Sequence, residues 1–190
     1  MKITCVLGSP RKTGNSSTIA GHFLQIAADK GAETESFLLN TLNVKGCQAC
    51  YSCKKTSDKC VVRDDLAAVL DSVRQADVLV MASPTYYGEV SSQLKAFIDR
   101  TFSFLVPDFL SSPNPSRLNP GKTLVFILTQ AQPDERMFDD IFPRYEKFFK
   151  WYGYSDSHLI RVCGASQDDR MMEREDVVRM TEETARKIVS

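Results

Sequence analysis

Four cysteines crowd one short stretch in the pattern Cys47-x2-Cys50-x2-Cys53-x6-Cys60. Soft thiolates in this number select iron–sulfur clusters or zinc. Structural zinc sites ordinarily use two knuckles separated by a longer stretch, which this spacing lacks. A C-x2-C-x2-C run is how [4Fe–4S] proteins bring three ligands around one face of a cubane. The fourth gap is longer than in bacterial ferredoxins and is followed by Val61 rather than proline, so Cys60 would have to close the same cluster. Redox-active or structural thiols without iron are the alternative. Lys54, Lys55 and Lys59 surround the thiols. Three roles are open to them: lowering thiol pKa or offsetting cluster charge, attracting an acidic electron-transfer partner, or simply forming a solvated loop face. The remaining cysteines, Cys5 and Cys163, fall at strand positions and read as small buried hydrophobes.

A second chemical signal is the run Gly8-Ser9-Pro10-Arg11-Lys12-Thr13-Gly14-Asn15-Ser16-Ser17 between an apolar strand and a helix. Such a turn points backbone N–H groups at one spot, and the helix dipole adds roughly half a positive charge there. Ser9, Ser16 and Ser17 offer hydroxyls, Asn15 an amide and Arg11 a guanidinium. Gly8 and Gly14 are the turn's only glycines, short of the G-x-G-x-x-G of dinucleotide sites, and Asn15 stands where a Walker A loop needs lysine. The turn therefore suits a terminal monophosphate ester better than a diphosphate.

The third signal is Pro84-Thr85-Tyr86-Tyr87-Gly88, again at a strand end. Two tyrosines offer flat faces and phenolic donors, and Gly88 allows a tight backbone path beside a planar ligand. A monophosphate cradle beside an aromatic platform matches the two ends of FMN. Taken alone, the tyrosine turn reads more blandly, as rim packing, whereas polar punctuation is the weaker account of the first turn because so many donors gather there.

These turns need elements to hold them. Apolar runs alternate five times with amphipathic segments. Strands are expected at Ile3–Leu7, Thr34–Leu39, Val78–Met81, Thr123–Leu128 and Ser157–Val162. Helical stripes follow through Ala20–Ala27, Leu66–Val73, Leu94–Thr101, Phe138–Tyr152 and Val177–Ile188. Cap chemistry is expected at Asn15 or Ser16, at Asp64-Asp65 and at Ser91 or Ser92, and Pro143 must begin or kink its helix. The pattern predicts an α/β, flavodoxin-like three-layer fold with a five-stranded parallel sheet in order 2-1-3-4-5. In that order the turns after strands one and three meet at the switch point. Residues 1–190 read as one domain with a cysteine-rich loop at 45–63 and a proline-rich loop at 105–121, the latter a lid, an oligomer arm or a plain connection.

The first turn, Ser83–Gly88 and Leu94-Lys95-Ala96-Phe97-Ile98-Asp99-Arg100 together resemble the NADPH-dependent FMN reductase branch of the flavodoxin-like superfamily. The cysteine pattern is similar to that of the iron–sulfur flavoproteins. The resemblance implies that Ser9, Arg11, Gly14, Asn15, Ser16 and Ser17 bind the FMN phosphate and that Pro84, Thr85, Tyr86, Tyr87 and Gly88 line its ring, with Thr129 and Gln130 as possible additions. It further implies a [4Fe–4S] cluster on Cys47, Cys50, Cys53 and Cys60, NAD(P)H or a ferredoxin-like donor, a quinone, flavin or protein acceptor, and a homodimer or homotetramer.

Composition narrows the remaining classes. Lys plus Arg and Asp plus Glu number 24 each among 190 residues, so no overall field favours nucleic acid or an anionic membrane. No apolar run reaches bilayer length and no signal-peptide core opens the chain, which leaves a cytoplasmic expectation. His22 and His158 share no ligand spacing with the cysteines, Asp99 and Arg100 carry no assigned chemistry, and no side chain is needed as a general acid or base. The reading is an FMN-dependent oxidoreductase. The alternatives are a non-enzymatic electron carrier, an iron-free reductase, or a binding protein that has kept the fold.

Overall fold

Alternating burial along the first strand sets the layers. In the computed structural model, which describes residues 1–189, β1 (Lys2–Leu7) sends Ile3 and Cys5 to one face of the sheet and Val6 to the other. The other strands are β2 (Glu33–Leu38), β3 (Val78–Tyr86), β4 (Glu89–Val90), β5 (Lys122–Thr129) and β6 (Tyr154–Val162). Five of them pair in parallel in the order β2-β1-β3-β5-β6, the expected flavodoxin-like order, and β4 folds back antiparallel on the end of β3.

Helices α1 (Asn15–Asp29) and α6 (Glu175–Val189) cover one face, where Ile19, Phe23 and Val177 pack on Ile3, Val80 and Ile127. The opposite face carries α3 (Leu66–Gln75), α4 (Ser92–Arg100) and α5 (Ile141–Trp151), with Val69, Phe97 and Phe149 in one apolar cluster with Met81 and Phe126. Burying each such side chain contributes about 1.5–3 kcal/mol. A single-turn helix, α2 (Ser52–Lys55), lies within the cysteine loop. Among the described residues no helix is long and apolar enough to cross a membrane.

Several local expectations are corrected. β3 runs on to Tyr86 because, after β1 stops pairing at Ala82, β5 continues to Pro84 and β4 pairs with Thr85 and Tyr86. Pro84 thus sits where one side of the strand has no partner and its missing N–H is tolerated. Tyr87 and Gly88, at φ 50° and 75°, form a two-residue hairpin into β4 instead of a plain strand-to-helix turn. Leu39, expected to end the second strand, opens a 3-10 turn.

Neither Asn15 nor Ser16 caps α1: its N-cap is Gly14, with no side-chain cap bond. Asp64, not Asp65, accepts the Leu66 N–H at the start of α3, while Asp65 accepts from Asn43 N. Ser91 does cap α4, accepting Leu94 N–H at 3.2 Å. Phe138 stands outside its expected helix at φ 67°, and Pro143 falls in the first turn of α5, where a missing donor costs nothing. Cys5 is buried, and burial pushes its thiol up to about 12; Cys163 is only half-buried.

Candidate cofactor site

The two glycine-containing bends meet. Leu7 is in register with Ala82, so both chains leave the sheet side by side at its carboxyl edge. Gly8 N donates to Ala82 O at 2.8 Å, Gly8 O accepts from Ser91 Oγ at 2.6 Å, and Ser91 N donates to Ser83 Oγ at 2.9 Å. A Cβ on Gly8 would lie 2.6 Å from Leu94 Cβ and 2.9 Å from Ser91 Oγ. Only glycine permits that approach. The cap of α4 is therefore also the clamp that joins the bends.

Beyond Gly8 the chain curls tightly. Ser9 Oγ accepts Arg11 N–H at 3.1 Å, Gly14 N donates to Arg11 O at 3.2 Å, and Ser17 Oγ donates to the same carbonyl at 3.3 Å. A Cβ on Gly14 would come within 2.6 Å of Ser9 Oγ. The first helical hydrogen bond runs from Thr18 N to Gly14 O, so the N–H groups of Asn15, Ser16 and Ser17 precede it without helical acceptors. Ser16 Oγ is buried with no hydrogen-bond partner. A buried hydroxyl without a partner is uncommon in folded proteins and calls for a ligand or solvent to complete it. An uncapped helix start with an unspent hydroxyl fits a monophosphate. Lys12 and Thr13 are exposed on the turn's outer side, and Arg11 is exposed at its rim.

Of the expected phosphate contacts, Ser17 spends its hydroxyl proton on Arg11 O and Asn15 is differently engaged. Its side-chain amide donates to Ser166 O at 2.7 Å, tying the turn to the segment after β6, while its backbone N–H stays among those without a helical acceptor. Asn40 was missed from the sequence. It donates to Pro10 O at 3.1 Å and accepts from Gln93 Nε2 at 3.1 Å, bracing the turn against α4. A lone asparagine after a strand carries no spacing that would have marked it.

Thr85 Oγ1 is likewise buried without a partner, while Tyr86 and Tyr87 are exposed, Tyr87 completely. Gly88 lies against Phe138, whose ring a Cβ would meet at 3.0 Å. The loop after β5 is organised by Gln130, which is buried, donates to the carbonyls of Gln132, Asp134 and Met137, and accepts from Arg161 at 2.8 Å. Thr129 is buried beside it. The crevice thus has a polar end with unspent donors, an unspent threonine and an aromatic rim, a set that FMN fits.

The four clustered cysteines are brought around a separate hollow of about 630 Å³, with Tyr51, Phe102 and Trp151 on its wall. All are free thiols, Cys47 and Cys50 exposed, Cys53 and Cys60 half-buried. Among the described residues no three His, Cys, Asp or Glu side chains are gathered as a ready metal site, so the sulfurs ring the hollow without converging. The donor chemistry, four soft thiols on one cavity, fits an iron–sulfur cluster or zinc. Hydrogen bonds from the Ser52 side chain and backbone hold the Cys50 thiol below its usual pKa. Ala49 and Tyr51 both have left-handed backbone, at φ 49° and 57°, an uncommon state for either residue type.

Two of the three lysines around the thiols are spent within the chain. Lys54 Nζ turns inward to Phe102 O and Leu105 O, at 2.5 and 2.8 Å, and rides over the Phe102 ring; burial lowers its pKa. Lys59 pairs with Asp71 at 2.8 Å. Arg100, unassigned from sequence, is the largest fully buried side chain. Its pair with Asp64 leaves both side chains 0% exposed. Burial works against the Asp64 charge, but hydrogen bonds from Arg100 and from Lys45 N–H hold its carboxyl below the usual carboxylate range. The spacing from Phe97 to Arg100 placed this charge on the apolar face of its helix, a signal visible in the sequence.

His22 and His158 are remote from both regions in their partners, facing Glu182 and Asp156.

Comparison with known proteins finds relatives in sequence and in fold. An iron–sulfur flavoprotein of Methanosarcina thermophila is 40% identical over 101 residues, 53% of this chain and 52% of that protein. Another, from Methanocaldococcus jannaschii, is 37% identical over 101 residues, again 53% and 52%. The chain thus spans about half the length of the curated relatives it matches. Among solved structures, the NAD(P)H:quinone oxidoreductase from Methanothermobacter marburgensis superposes with a TM-score of 0.79 at 14% identity, over 99% of this chain and 96% of that one. The FMN-dependent NADH-azoreductase from Bacillus anthracis, solved with FMN, gives 0.76 at 15% identity, over 100% and 99%. These two show the shared fold. The model of the NADPH-dependent FMN reductase family matches residues 1–135, the span that carries both bends, the helix that clamps them and the cysteine loop, and the chain belongs to that family.

Proposed function

We propose that the chain is an FMN-dependent oxidoreductase that draws electrons from NAD(P)H. Ser9, Arg11, Gly14, Ser16, Ser17 and the Asn15 N–H take the phosphate, and Pro84, Thr85, Tyr86, Tyr87 and Gly88 line the ring. The observation that carries this reading is the buried, unpartnered Ser16 hydroxyl at an uncapped helix start. When bound, FMN supplies the hydride and electron chemistry, which no protein side chain provides. The chain's own part is to bind and orient. The turn neutralises phosphate charge with N–H dipoles and the Arg11 guanidinium. Thr85 Oγ1, buried and unspent, would offer the ring a hydrogen bond, and the exposed Tyr86 and Tyr87 would flank it. Without a dinucleotide fingerprint, NAD(P)H docks only transiently over the flavin.

The cysteine hollow is read as the seat of a [4Fe–4S] cluster on Cys47, Cys50, Cys53 and Cys60, a reading supported by the donor set and by the names of the relatives. With it the chain would also exchange electrons with a ferredoxin-like protein.

Paired Asn15→Leu and Ser16→Leu replacements, assayed by flavin-to-protein absorbance after reconstitution, are expected to abolish FMN retention. Unchanged occupancy would remove the phosphate assignment. Anaerobic purification is expected to give about four irons per chain beside one flavin. Iron-free yellow protein from that preparation would leave a plain flavin reductase. Steady NAD(P)H oxidation with a quinone or free flavin separates an enzyme from a carrier reduced only by ferredoxin.

A further inference from the structure

The cysteine loop has almost no regular structure, yet both of its feet are fixed by one side chain. Arg100, the last residue of α4, donates from Nη1 to Lys45 O at 2.9 Å, at the loop's start. From Nη2 it donates to Val62 O at 3.1 Å, at the loop's end. Both Nη groups also hold the Asp64 carboxylate, at 2.9 and 3.2 Å. The remaining donor, Nε, points to Cys60 Sγ at 2.9 Å. Three of the five guanidinium contacts thus land on the loop that carries the thiols, and the other two on Asp64, the residue that follows it. A rigid planar fork of this kind fixes direction as well as distance, which an ammonium cannot do. Of the other cysteines, Cys50 is met only by hydrogen bonds from Ser52, two residues along the same loop. Cys53 has only the Lys54 ammonium at 3.8 Å, and that lysine is directed chiefly at two carbonyls.

We infer that Arg100 is the positioning residue of the cysteine site, holding Cys60 on the wall of the hollow so that its sulfur completes the set offered by Cys47, Cys50 and Cys53. This rests on the reading of the hollow as a metal site. The same helix is capped at its start by Ser91, which clamps Gly8, so α4 is one rigid bar between the phosphate turn and the fourth sulfur. Arg100 touches no reacting atom. It acts through Cys60.

Cobalt(II) titrated into the reduced, metal-free chain is the probe, because its thiolate charge-transfer band scales with the number of sulfurs bound. Wild type is compared with Cys60→Ser, Arg100→Lys and the Arg100→Lys/Cys60→Ser double variant. Cys60→Ser is expected to lose about a quarter of the band, one thiolate in four. Arg100→Lys keeps a cation for Asp64 but loses the fork, and is expected to lose the same share. The double variant is expected to lose no more than either single one, as residues acting through one atom are not additive.

A full four-thiolate band in Arg100→Lys, or additive losses in the double variant, overturns the inference. No thiolate band in wild type instead overturns the metal reading beneath it, whereas a wild-type band that Cys60→Ser leaves whole shows that Cys60 is no ligand and overturns the inference. Far-ultraviolet dichroism confirms folding in each case. Should Arg100→Lys unfold, the charge-free pair Arg100→Met/Asp64→Asn takes its place, and unfolding of both would make Arg100 a stability residue only, which also overturns the inference.

Discussion

The phosphate turn and the cysteine loop leave the same end of the molecule but are built in opposite ways. Strand register and backbone hold the turn: Gly8 bonds to Ala82 and to the capping Ser91, and the space around it admits nothing larger than glycine. Side chains from elsewhere hold the loop. Arg100 grips its feet, Lys54 plugs its one helical turn into two carbonyls, and between the cysteines the backbone enters left-handed space twice. A site for a ubiquitous chemical group, a phosphate, can rest on elements every strand–helix crossover supplies. A site for soft-metal chemistry must gather side chains that no regular element would bring together, and so depends on long-range staples. The turn should therefore tolerate loss of side chains better than loss of shape, and the loop the reverse.

The largest effect should come from breaking the loop's staple on its acidic side. Asp64→Ala strands the Arg100 charge in a fully buried position and removes the acceptor for Lys45 N and Leu66 N. A loss of about 3–5 kcal/mol in chemical denaturation is expected, with faster proteolysis between 45 and 63. The pH dependence carries the same signature. Asp64 has a folded-state pKa below its unfolded one, so its contribution is full above the ordinary carboxylate range and is lost as pH falls through the lowered value. Wild type should therefore lose stability in acid more steeply than Asp64→Ala. Parallel acid limbs would show that the pair is not felt energetically.

Next is the turn's shape. Gly8→Ala forces a Cβ into Leu94 and Ser91, and overpacking of this kind costs about 1–3 kcal/mol. Flavin retention should fall sharply, because the bends must part to make room. Full retention would mean that their close approach is incidental to the pocket. Ser91→Ala comes third: it removes the cap of α4 and the donor to Gly8 O, for about 1 kcal/mol, read as a shift in denaturation midpoint. Last, Lys59→Ala breaks an exposed pair with Asp71 and should change stability by less than about 0.5 kcal/mol. A larger loss would put Lys59 among the loop's staples, alongside Lys54.

Much of this was legible in advance, for definite reasons. Near-continuous apolar runs at Ile3–Leu7, Val78–Met81 and Thr123–Leu128 mark strands covered on both faces, and five β-α alternations admit few topologies. Strand β2 was visible despite its polar character, since an edge strand needs only Phe37 and Leu38 for anchorage. The Tyr87-Gly88 hairpin was missed because it lacks the usual Asn-Gly or Asp-Gly signal. The caps at Asn15 and Ser16 were misjudged because the residues that close a helix start on itself are the same ones that leave it open to an anion.

The chain's own order of residues determined the sheet, the placement of glycine at two strand ends and the inventory of thiols, hydroxyls and cations, since these follow from local periodicity and steric need. Which of them meet was decided only in three dimensions. Ser91 reaches Gly8 across 83 positions, and Arg100 reaches Cys60 across 40, because strand register and helix packing set the distances. Hydrogen bonds fade within fractions of an ångström. No spacing along a chain carries that precision until the core has formed.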